Sequence, residues 1–230
     1  DIMGEVCHPK GFGTGSLKLD LALTQGIPQG FIYEIFAQNG VGKTTLALEI
    51  CGQAQKHGCR IGYLDLEGTL NSSLVQSVKT LNIEAKDDKG QPLWIYKEGL
   101  IKDADSKDVK MMNGENAMKY AIIFLSMFKN AYLVIDSVDA LVPSAILEGK
   151  DVGEPTMGQL GKLMSDGMRR LHGICKKNNS TLIFINQVRA NPAAYGNQLV
   201  TPGGNALKFY AFQRIQLREE SRIALYHFFP

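Results

Sequence analysis

The chain has 230 residues, of which 44% are hydrophobic and 21% are charged, and its formal net charge is +2. This length allows one large α/β domain or at most two small ones. The small net charge excludes a generally basic polynucleotide-binding surface, so any such site must rest on local clusters. No apolar run reaches the length that a membrane-spanning helix requires, and we expect no membrane partner.

Apolar segments of strand length alternate with amphipathic segments of helix length. The predicted strands are 31–37, 61–67, 93–96, 131–136, 181–187 and 212–217. The predicted helical segments are 44–58, 73–82, 114–128 and 158–178. Nearly continuous hydrophobic strands separated by helices are typical of a parallel sheet that is covered on both faces. We therefore expect one α/β domain with three layers, in which a mostly parallel, twisted sheet has helices on both faces; the polar stretch 84–91 is predicted to be an exposed loop.

The four cysteines, Cys7, Cys51, Cys59 and Cys175, are scattered without a CxxC pair or a zinc-binding pattern. This spacing favours free, reduced thiols in a cytoplasmic protein over disulfides or a metal site.

The segment AQNGVGKTT (37–45) follows a predicted strand and opens a predicted helix. Glycines let successive backbone N–H groups turn towards a polyphosphate, and the helix N-terminus adds partial positive charge. Lys43 would reach the terminal phosphates, the Thr44 hydroxyl would ligate Mg²⁺, and Thr45 would contact an inner phosphate. The usual GxxxxGK[ST] pattern differs only at its first position. The candidate nucleotide-binding residues are Ala37, Gln38, Asn39, Gly40, Val41, Gly42, Lys43, Thr44 and Thr45.

Three other predicted strands end in side chains suited to phosphoryl chemistry. Asp136 closes an apolar strand, which places a carboxylate at the carboxyl edge of the sheet beside the Mg²⁺ shell. Asp65 and Glu67 face the same way at another strand end, and Glu67, which lies further out, is the better candidate for the base that deprotonates the attacking water. Gln187 would report the γ-phosphate to the loop that follows. The alternative without a function is that these polar side chains are only solvated by water or cap the ends of their strands.

The residues GGN at 203–205 lie at what is predicted to be the start of a strand. A tight turn accounts for this local pattern. The functional alternative is a surface of bare N–H groups, because a single-stranded polynucleotide held by its backbone needs donors that approach phosphate closely. Lys162, Arg169 and Arg170 add positive charge to a predicted helix, the first two on one face, although a solvated face is the ordinary meaning of such residues.

With these motifs in this order along the chain, the sequence resembles the ATPase core of the bacterial RecA recombinases. The segments EGK…MG, FINQVR and GGNALKFY are not general features of ATPases. The resemblance covers nearly the whole chain and is carried by the segments 13–23, 37–45, 63–71, 114–118, 134–143, 148–158, 184–189 and 203–210.

The resemblance implies a single RecA-like P-loop ATPase core domain over 1–230 that uses ATP and Mg²⁺. It implies a homo-oligomeric helical filament on single-stranded DNA, pairing with homologous duplex DNA, and DNA-stimulated ATP hydrolysis in recombination and repair. By position, the loop 37–45 resembles the ATP and magnesium site, with Asp136 beside the metal. Glu67 resembles the catalytic base and Gln187 the γ-phosphate sensor. Lys43, in the loop 37–45, is the third candidate catalytic residue.

The two DNA-binding loops of the family match about 150–158 and 188–203. Lys208 and Phe209 resemble positions at a subunit interface, where ATP on one protomer is sensed by its neighbour; a core role for Phe209 is the alternative. The positions that resemble DNA contacts are Met157, Lys162, Ser165, Arg169, Arg189, Gly203, Gly204 and Asn205.

The sequence departs from the family pattern in two places. Leu74 stands where the family usually has a tyrosine stacked on adenine, and Asn71, the last candidate nucleotide-binding residue, replaces an aspartate, so we expect weaker or less selective base binding. The loop between Gln187 and Gly203 is one residue short, and Pro192 falls near the position that the family wedges between base triplets.

The chain begins close to the ATPase core, without the family's N-terminal helix and strand, and stops before the strand that carries two lysines to a neighbouring ATP. A shortened piece of a longer protein and a naturally reduced relative both fit this pattern. If the chain is complete, we expect fewer filament contacts and poor stimulation of hydrolysis across subunits.

Two other functions stay open at this stage. One is an assembly or signalling module that uses ATP as a switch, and the other is a hexameric helicase motor with the same core fold. The segments FINQVR and GGNALKFY favour the recombinase over the helicase.

Overall fold

The computed structural model describes residues 11–23, 26–102, 109–147, 158–190 and 199–219. The strands in these ranges are β1 (Gly11–Phe12), β2 (Ile27–Pro28), β3 (Ile32–Ala37), β4 (Arg60–Asp65), β5 (Trp94–Glu98), β6 (Leu100–Lys102), β7 (Val109–Met111), β8 (Ala131–Asp136), β9 (Thr181–Gln187), β10 (Arg189–Ala190), β11 (Leu199–Val200) and β12 (Gln213–Gln216). The helices are α1 (Leu17–Leu23), α2 (Lys43–Lys56), α3 (Ser72–Ser77), α4 (Gly114–Met127), α5 (Ser144–Leu147), α6 (Gln159–Asn178) and α7 (Gly204–Tyr210), with a 3₁₀ turn at Val138–Ala140.

Six strands form the central sheet in the order β12-β3-β9-β8-β4-β5. Every neighbouring pair in this sheet is parallel. The register aligns Ala37 with Gln187 between β3 and β9, and Asp65 with Asp136 between β4 and β8. Because parallel strands share one direction, the carboxyl ends of β3, β9, β8 and β4 lie at the same edge of the sheet.

The four inner strands of the sheet bury both of their faces, and this produces two cores. Side chains alternate along a strand, so Leu133 and Ile135 of β8 join a core with α4, α6 and α7. Tyr132 and Val134 of the same strand join a second core with α2 on the opposite face. The layers are therefore helices, sheet and helices, which confirms the predicted fold class.

The predicted strands at 131–136 and 181–187 have the same bounds as β8 and β9. The stretch 84–91 is largely exposed and lies outside helices and strands, as predicted. The helical segment predicted over 73–82 is shorter in the structure, because α3 ends at Ser77.

The prediction that the glycine pair leads directly into a strand is wrong, because it opens the helix α7 instead. Ala206 and Leu207 lie one helical turn before Tyr210, and all three face the core that contains α6. This apolar face stabilises a helix in place of an extended chain, and β12 begins only at Gln213.

No helix in the described ranges has both the length and the apolar character needed to cross a bilayer.

Cys51, Cys59 and Cys175 are free and buried, which confirms the expected free thiols at these three positions; Cys7 lies outside the described residues. Burial raises the pKa of all three thiols, that of Cys59 to about 11 and that of Cys175 to about 12.

Gly52 of α2 and Gly173 of α6 form a matched pair for testing the packing of α2. A Cβ at Gly52 would lie 2.7 Å from the carbonyl carbon of Thr80 and 2.8 Å from the backbone nitrogen of Leu81. At Gly173, no atom of the described chain lies within 4 Å of such a Cβ. Gly173→Ala should therefore stabilise the protein by about 0.8–1 kcal/mol through helix propensity.

Gly52→Ala should instead destabilise the protein by about 1–3 kcal/mol, because the backbone at 80–81 must shift to make room. Thermal unfolding followed by circular dichroism measures both changes, with about 2–4 °C of Tm per kcal/mol for a chain of this size. Equal stabilisation by the two substitutions would contradict the close approach at Gly52.

Candidate nucleotide-binding site

The loop between β3 and α2 has the conformation of an anion cradle. Gly40 and Gly42 have φ values of 78° and 95°, and Gly42 caps the N-terminus of α2. Such left-handed backbone favours glycine. No atom of the described chain lies within 4 Å of a Cβ built at either position. The space in front of the loop is therefore open, and the residues present fit a bound polyphosphate.

Lys43 begins α2 and directs its ammonium group back into this loop. Its Nζ donates to the carbonyl oxygen of Gln38 at 2.9 Å and to that of Ala37 at 3.4 Å. Burial lowers the pKa of Lys43, whereas the charges of Asp136 and Glu67 raise it. Within the described chain the ammonium group forms no ion pair, so an anion entering the loop would supply its missing counter-charge.

Asp136 receives two hydroxyl donors on one carboxylate oxygen. The Oγ1 of Thr44 lies 3.0 Å from Oδ2 of Asp136, and the hydroxyl of Tyr63 donates to the same oxygen at 2.6 Å. Burial raises the pKa of Asp136, while the hydrogen bonds from Tyr63 and Thr44 lower it. Burial and the charge of Asp136 raise the pKa of Tyr63 well above its usual value, which keeps the phenol protonated.

Asp65 holds the turn that carries Glu67. Its carboxylate accepts three backbone N–H groups at 68–70, at 2.8 to 3.2 Å, and the hydroxyl of Tyr96 at 3.2 Å. These four bonds occupy both oxygens of a buried side chain. Asp65 therefore positions the turn, and the exposed Glu67 remains the carboxylate that faces the crevice.

Glu67 and Gln187, predicted from two different strand ends, come together in the structure. The Oε1 of Glu67 accepts hydrogen bonds from the hydroxyl of Ser137 and, at 3.5 Å, from Nε2 of Gln187. Donors at the carboxyl ends of the neighbouring strands β8 and β9 thus orient this carboxylate.

These side chains surround one cavity of about 200 Å³. That volume is smaller than the roughly 300–1,000 Å³ of pockets that enclose a whole drug-sized ligand, so it suits the phosphate end of a nucleotide. The lining residues are Asn39, Gly40, Lys43, Thr44, Glu67, Thr69, Asp136, Ser137, Ile185 and Gln187.

The candidate residue Asn71 does not line this cavity. Its Oδ1 accepts the backbone N–H of Leu74 at 2.8 Å and caps the N-terminus of α3. Leu74 is half-buried and packs against the core beneath α2. A role of either residue in binding the base stays a prediction.

A buried polar network lies behind the end of β9. Asn186 donates through Nδ2 to Oε1 of Glu34 at 2.7 Å and to the carbonyl oxygen of Pro202 at 3.0 Å. Glu34 also accepts a hydrogen bond from Nε of Arg214. The backbone N–H of Gln187 donates to Oδ1 of Asn186 at 2.9 Å. Gln187 therefore lines the cavity, while its neighbour Asn186 contacts Pro202, just before the glycine pair.

The first glycine of the pair is buried and the second is exposed. A Cβ at Gly203 would lie 3.0 Å from Cγ1 of Val138, and both glycines have positive φ. Packing within the chain thus explains the bare backbone at Gly203. Gly204 and Asn205 are exposed.

The basic residues proposed for DNA contact are exposed where the structure describes them. Lys162, Ser165 and Arg169 share one exposed face of α6. Arg189 pairs with Asp139 at 2.5 Å, with 67% of the arginine side chain exposed. Met157 and most of the loop 150–158 lie outside the described residues, as does Pro192.

The predicted interface residues are also on the surface. Lys208 is exposed, and Phe209 is 83% exposed with its ring edge-on to Tyr210. The alternative of a core role for Phe209 is therefore wrong, because α7 directs Leu207 into the core and Phe209 away from it.

Tyr63, Ser137 and the Glu34–Arg214 pair are absent from the residues predicted from the sequence. A charged residue in the middle of the apolar strand FIYEIFA is a signal for a buried partner, since an unpaired charge there is costly. The polar tips of Tyr63 and Ser137 give no comparable signal, because both residues are ordinary in buried strands and strand ends.

The sequence is similar to that of known proteins over most of its length. The family model of the RecA N-terminal domain matches residues 4–111 and 109–227. Protein RecA of Ruminococcus albus is 38% identical over 213 residues, which cover 91% of this chain and 48% of that relative. Protein RecA of Geobacter sulfurreducens is 40% identical over 208 residues, covering 90% of this chain and 55% of the relative.

Protein RecA 2 of Myxococcus xanthus is 40% identical over 207 residues, which cover 89% of this chain and 52% of the relative. The chain spans about half the length of the curated relatives it matches. Because the family model matches most of its residues, the chain belongs to the RecA family.

Proposed function

We propose that this chain is the ATP-binding and ATP-hydrolysing core of a DNA-dependent recombinase. The observation that carries the proposal is the single cavity in which Lys43, Thr44, Asp136, Glu67 and Gln187 meet. These residues come from the start of α2 and from the carboxyl ends of three strands, so a chance solvated edge does not account for their convergence. The similarity to proteins named RecA supports the choice of recombination over other uses of ATP.

The phosphate chain of ATP would lie against the backbone N–H groups of the loop 38–42 and the N-terminus of α2. Lys43 would exchange its bonds to the loop carbonyls for the β- and γ-phosphate oxygens. Thr45, which is exposed beside the loop, would contact an inner phosphate. In this arrangement the ammonium group neutralises charge that grows on the bridging oxygen as the γ-phosphate leaves.

Thr44 and Asp136 are the residues that would hold Mg²⁺ together with the nucleotide. The described ranges contain no group of three His, Cys, Asp or Glu side chains able to hold a metal ion. Mg²⁺ commonly takes one or two protein oxygens and completes its shell with phosphate and water, which fits one hydroxyl and one carboxylate. When bound, the ion would neutralise negative charge on the phosphate oxygens of the nucleotide.

Glu67 would accept a proton from water as the water oxygen attacks the γ-phosphorus. The bond between that phosphorus and the β–γ bridging oxygen breaks, and ADP and inorganic phosphate result. Gln187, in contact with Glu67 at 3.5 Å, would donate to the attacking water or to the γ-phosphate. Loss of the γ-phosphate would change the partner of this amide.

The end of β9 would couple nucleotide state to DNA. Gln187 contacts the cavity, and Asn186 holds the carbonyl of Pro202, next to the glycine pair. We propose that DNA is bound by the loops at about 150–158 and 188–203, together with the exposed face of α6 and with Arg189. Filament contacts would include Lys208 and Phe209, whose exposure leaves them free for another subunit.

Lys43→Ala should lower kcat/KM for ATP hydrolysis by roughly 10²–10³-fold, as expected for loss of a positioned charge in a phosphoryl-transfer site. Lys56→Ala, at the exposed end of the same helix, is the matched control and should be neutral. Steady-state phosphate release and nucleotide binding measure both effects. Tight ATP binding with full turnover in Lys43→Ala would refute the site.

Glu67→Gln should slow hydrolysis by about 10²–10⁴-fold, the usual contribution of a general base, and leave ATP affinity near that of the wild type. Glu98→Gln removes an exposed carboxylate from the same edge of the sheet, outside the cavity, and should change neither quantity. Single-turnover kinetics separates the chemical step from binding. Unchanged turnover in Glu67→Gln would assign the base to another group.

Arg189→Ala should weaken binding of single-stranded oligonucleotides and reduce the salt dependence of log K by about 0.7, the value for one lost phosphate contact. Arg60→Ala is the matched control, because Arg60 also pairs with an aspartate but lies at the amino end of β4, at the opposite edge of the sheet. Fluorescence anisotropy over a salt series measures both slopes. Equal slopes for the two variants would remove Arg189 from the DNA site.

A further inference from the structure

Tyr63 places a phenol hydroxyl in the interior of the sheet, directly beneath the cavity. The side chain is 0% exposed, and its hydroxyl lies 2.6 Å from Oδ2 of Asp136. Tyr63 itself does not line the cavity. It can therefore act on a bound ligand only through the carboxylate that it contacts.

The position of this hydroxyl is determined by core packing. Tyr63 lies opposite Val134 in the parallel pairing of β4 and β8, two residues before the pair formed by Asp65 and Asp136. Its ring packs within the core beneath α2, with the ring of Trp94 at a centroid distance of 5.9 Å. A ring held on all sides gives its hydroxyl one stable location, and Asp136 is oriented accordingly.

Two donors meet on one oxygen of Asp136. Thr44 lies 3.0 Å and Tyr63 2.6 Å from Oδ2, while Oδ1 receives no hydrogen bond from the part of the chain that the structure describes. A threonine hydroxyl has one proton and two lone pairs. As long as Thr44 gives its proton to Asp136, both lone pairs are available to a cation in the cavity.

We propose that Tyr63 is a positioning residue for the divalent cation that accompanies the nucleotide. Its hydroxyl fixes the Asp136 carboxylate where that carboxylate accepts the proton of Thr44, so that the oxygen of Thr44 presents its lone pairs to the cation. This inference rests on the proposed ATP-binding function. Groups that orient the ligands of a metal commonly change metal affinity by about 10–100-fold when they are removed.

The test compares Tyr63→Phe with Tyr33→Phe in the 230-residue chain. Tyr33 is equally buried, and its hydroxyl donates to the carbonyl oxygen of Pro28 at 2.8 Å, at the amino end of the sheet. Each substitution removes one buried phenol hydroxyl and leaves the ring in place. The measured quantities are binding of N-methylanthraniloyl-ATP by fluorescence, without divalent cation and over a Mg²⁺ titration, and Mn²⁺ binding in the presence of ATP by electron paramagnetic resonance.

We expect Tyr63→Phe to raise the half-saturating Mg²⁺ and Mn²⁺ concentrations by about 10-fold or more, with nucleotide affinity in the absence of cation unchanged. Tyr33→Phe should leave both quantities at wild-type values. Trp94 is the only tryptophan of the chain, so its emission reports whether the packing around position 63 is intact.

Two results would overturn the inference: wild-type cation affinity in Tyr63→Phe, or an equal loss of nucleotide affinity with and without cation, which would indicate a purely structural role. If Tyr63→Phe does not fold, Tyr63→p-aminophenylalanine retains a donor at the same place and should bind Mg²⁺ as the wild type does; a 10-fold loss there would also overturn it. A wild-type protein that binds no nucleotide would instead contradict the proposed function.

Discussion

Parallel pairing of four strands is the constraint on which the candidate site depends. β3, β9, β8 and β4 run in one direction, with Ala37 beside Gln187 and Asp65 beside Asp136. Each strand brings one functional group, or the loop that carries it, to the same edge of the sheet. A slip of one residue in any pair would turn its side chains to the opposite face. The relative positions of the side chains around the cavity therefore depend on the register of the sheet, which the two buried cores maintain.

The same alternation separates two tasks at the end of β9. Gln187 faces the cavity, and its neighbour Asn186 points to the other side, where it donates to Glu34 and to the carbonyl oxygen of Pro202. Glu34 is fully buried and pairs with Arg214. Breaking such a buried pair is strongly destabilising, because one charge is left without a partner. The segment before the glycine pair is thus anchored to a rigid part of the sheet.

Local signals in the sequence were sufficient to single out the loop at 37–45 and Asp136, Glu67 and Gln187, which the structure brings to one cavity. A glycine-rich turn between strand and helix, or a polar residue closing an apolar strand, is visible without the fold, and parallel topology then brings these positions to one edge. Contacts that depend on strand order were not visible. Arg214 meets Glu34 across 180 residues only because β12 lies beside β3. Helix α7 is seven residues long, too short for a periodicity that would distinguish it from the start of a strand.

The two hydrogen bonds that Lys43 makes with its own loop have a consequence for ligand choice. The carbonyl of Ala37 also accepts the backbone N–H of Val188 at 3.2 Å, so it keeps a partner when the lysine turns away, whereas the carbonyl of Gln38 must be satisfied by water. Entry of an anion is therefore an exchange of contacts. A polyphosphate spread along the turn can reach more backbone N–H donors than a single orthophosphate can. The bonds that Lys43 forms within its own loop therefore define the contacts that any bound anion has to replace.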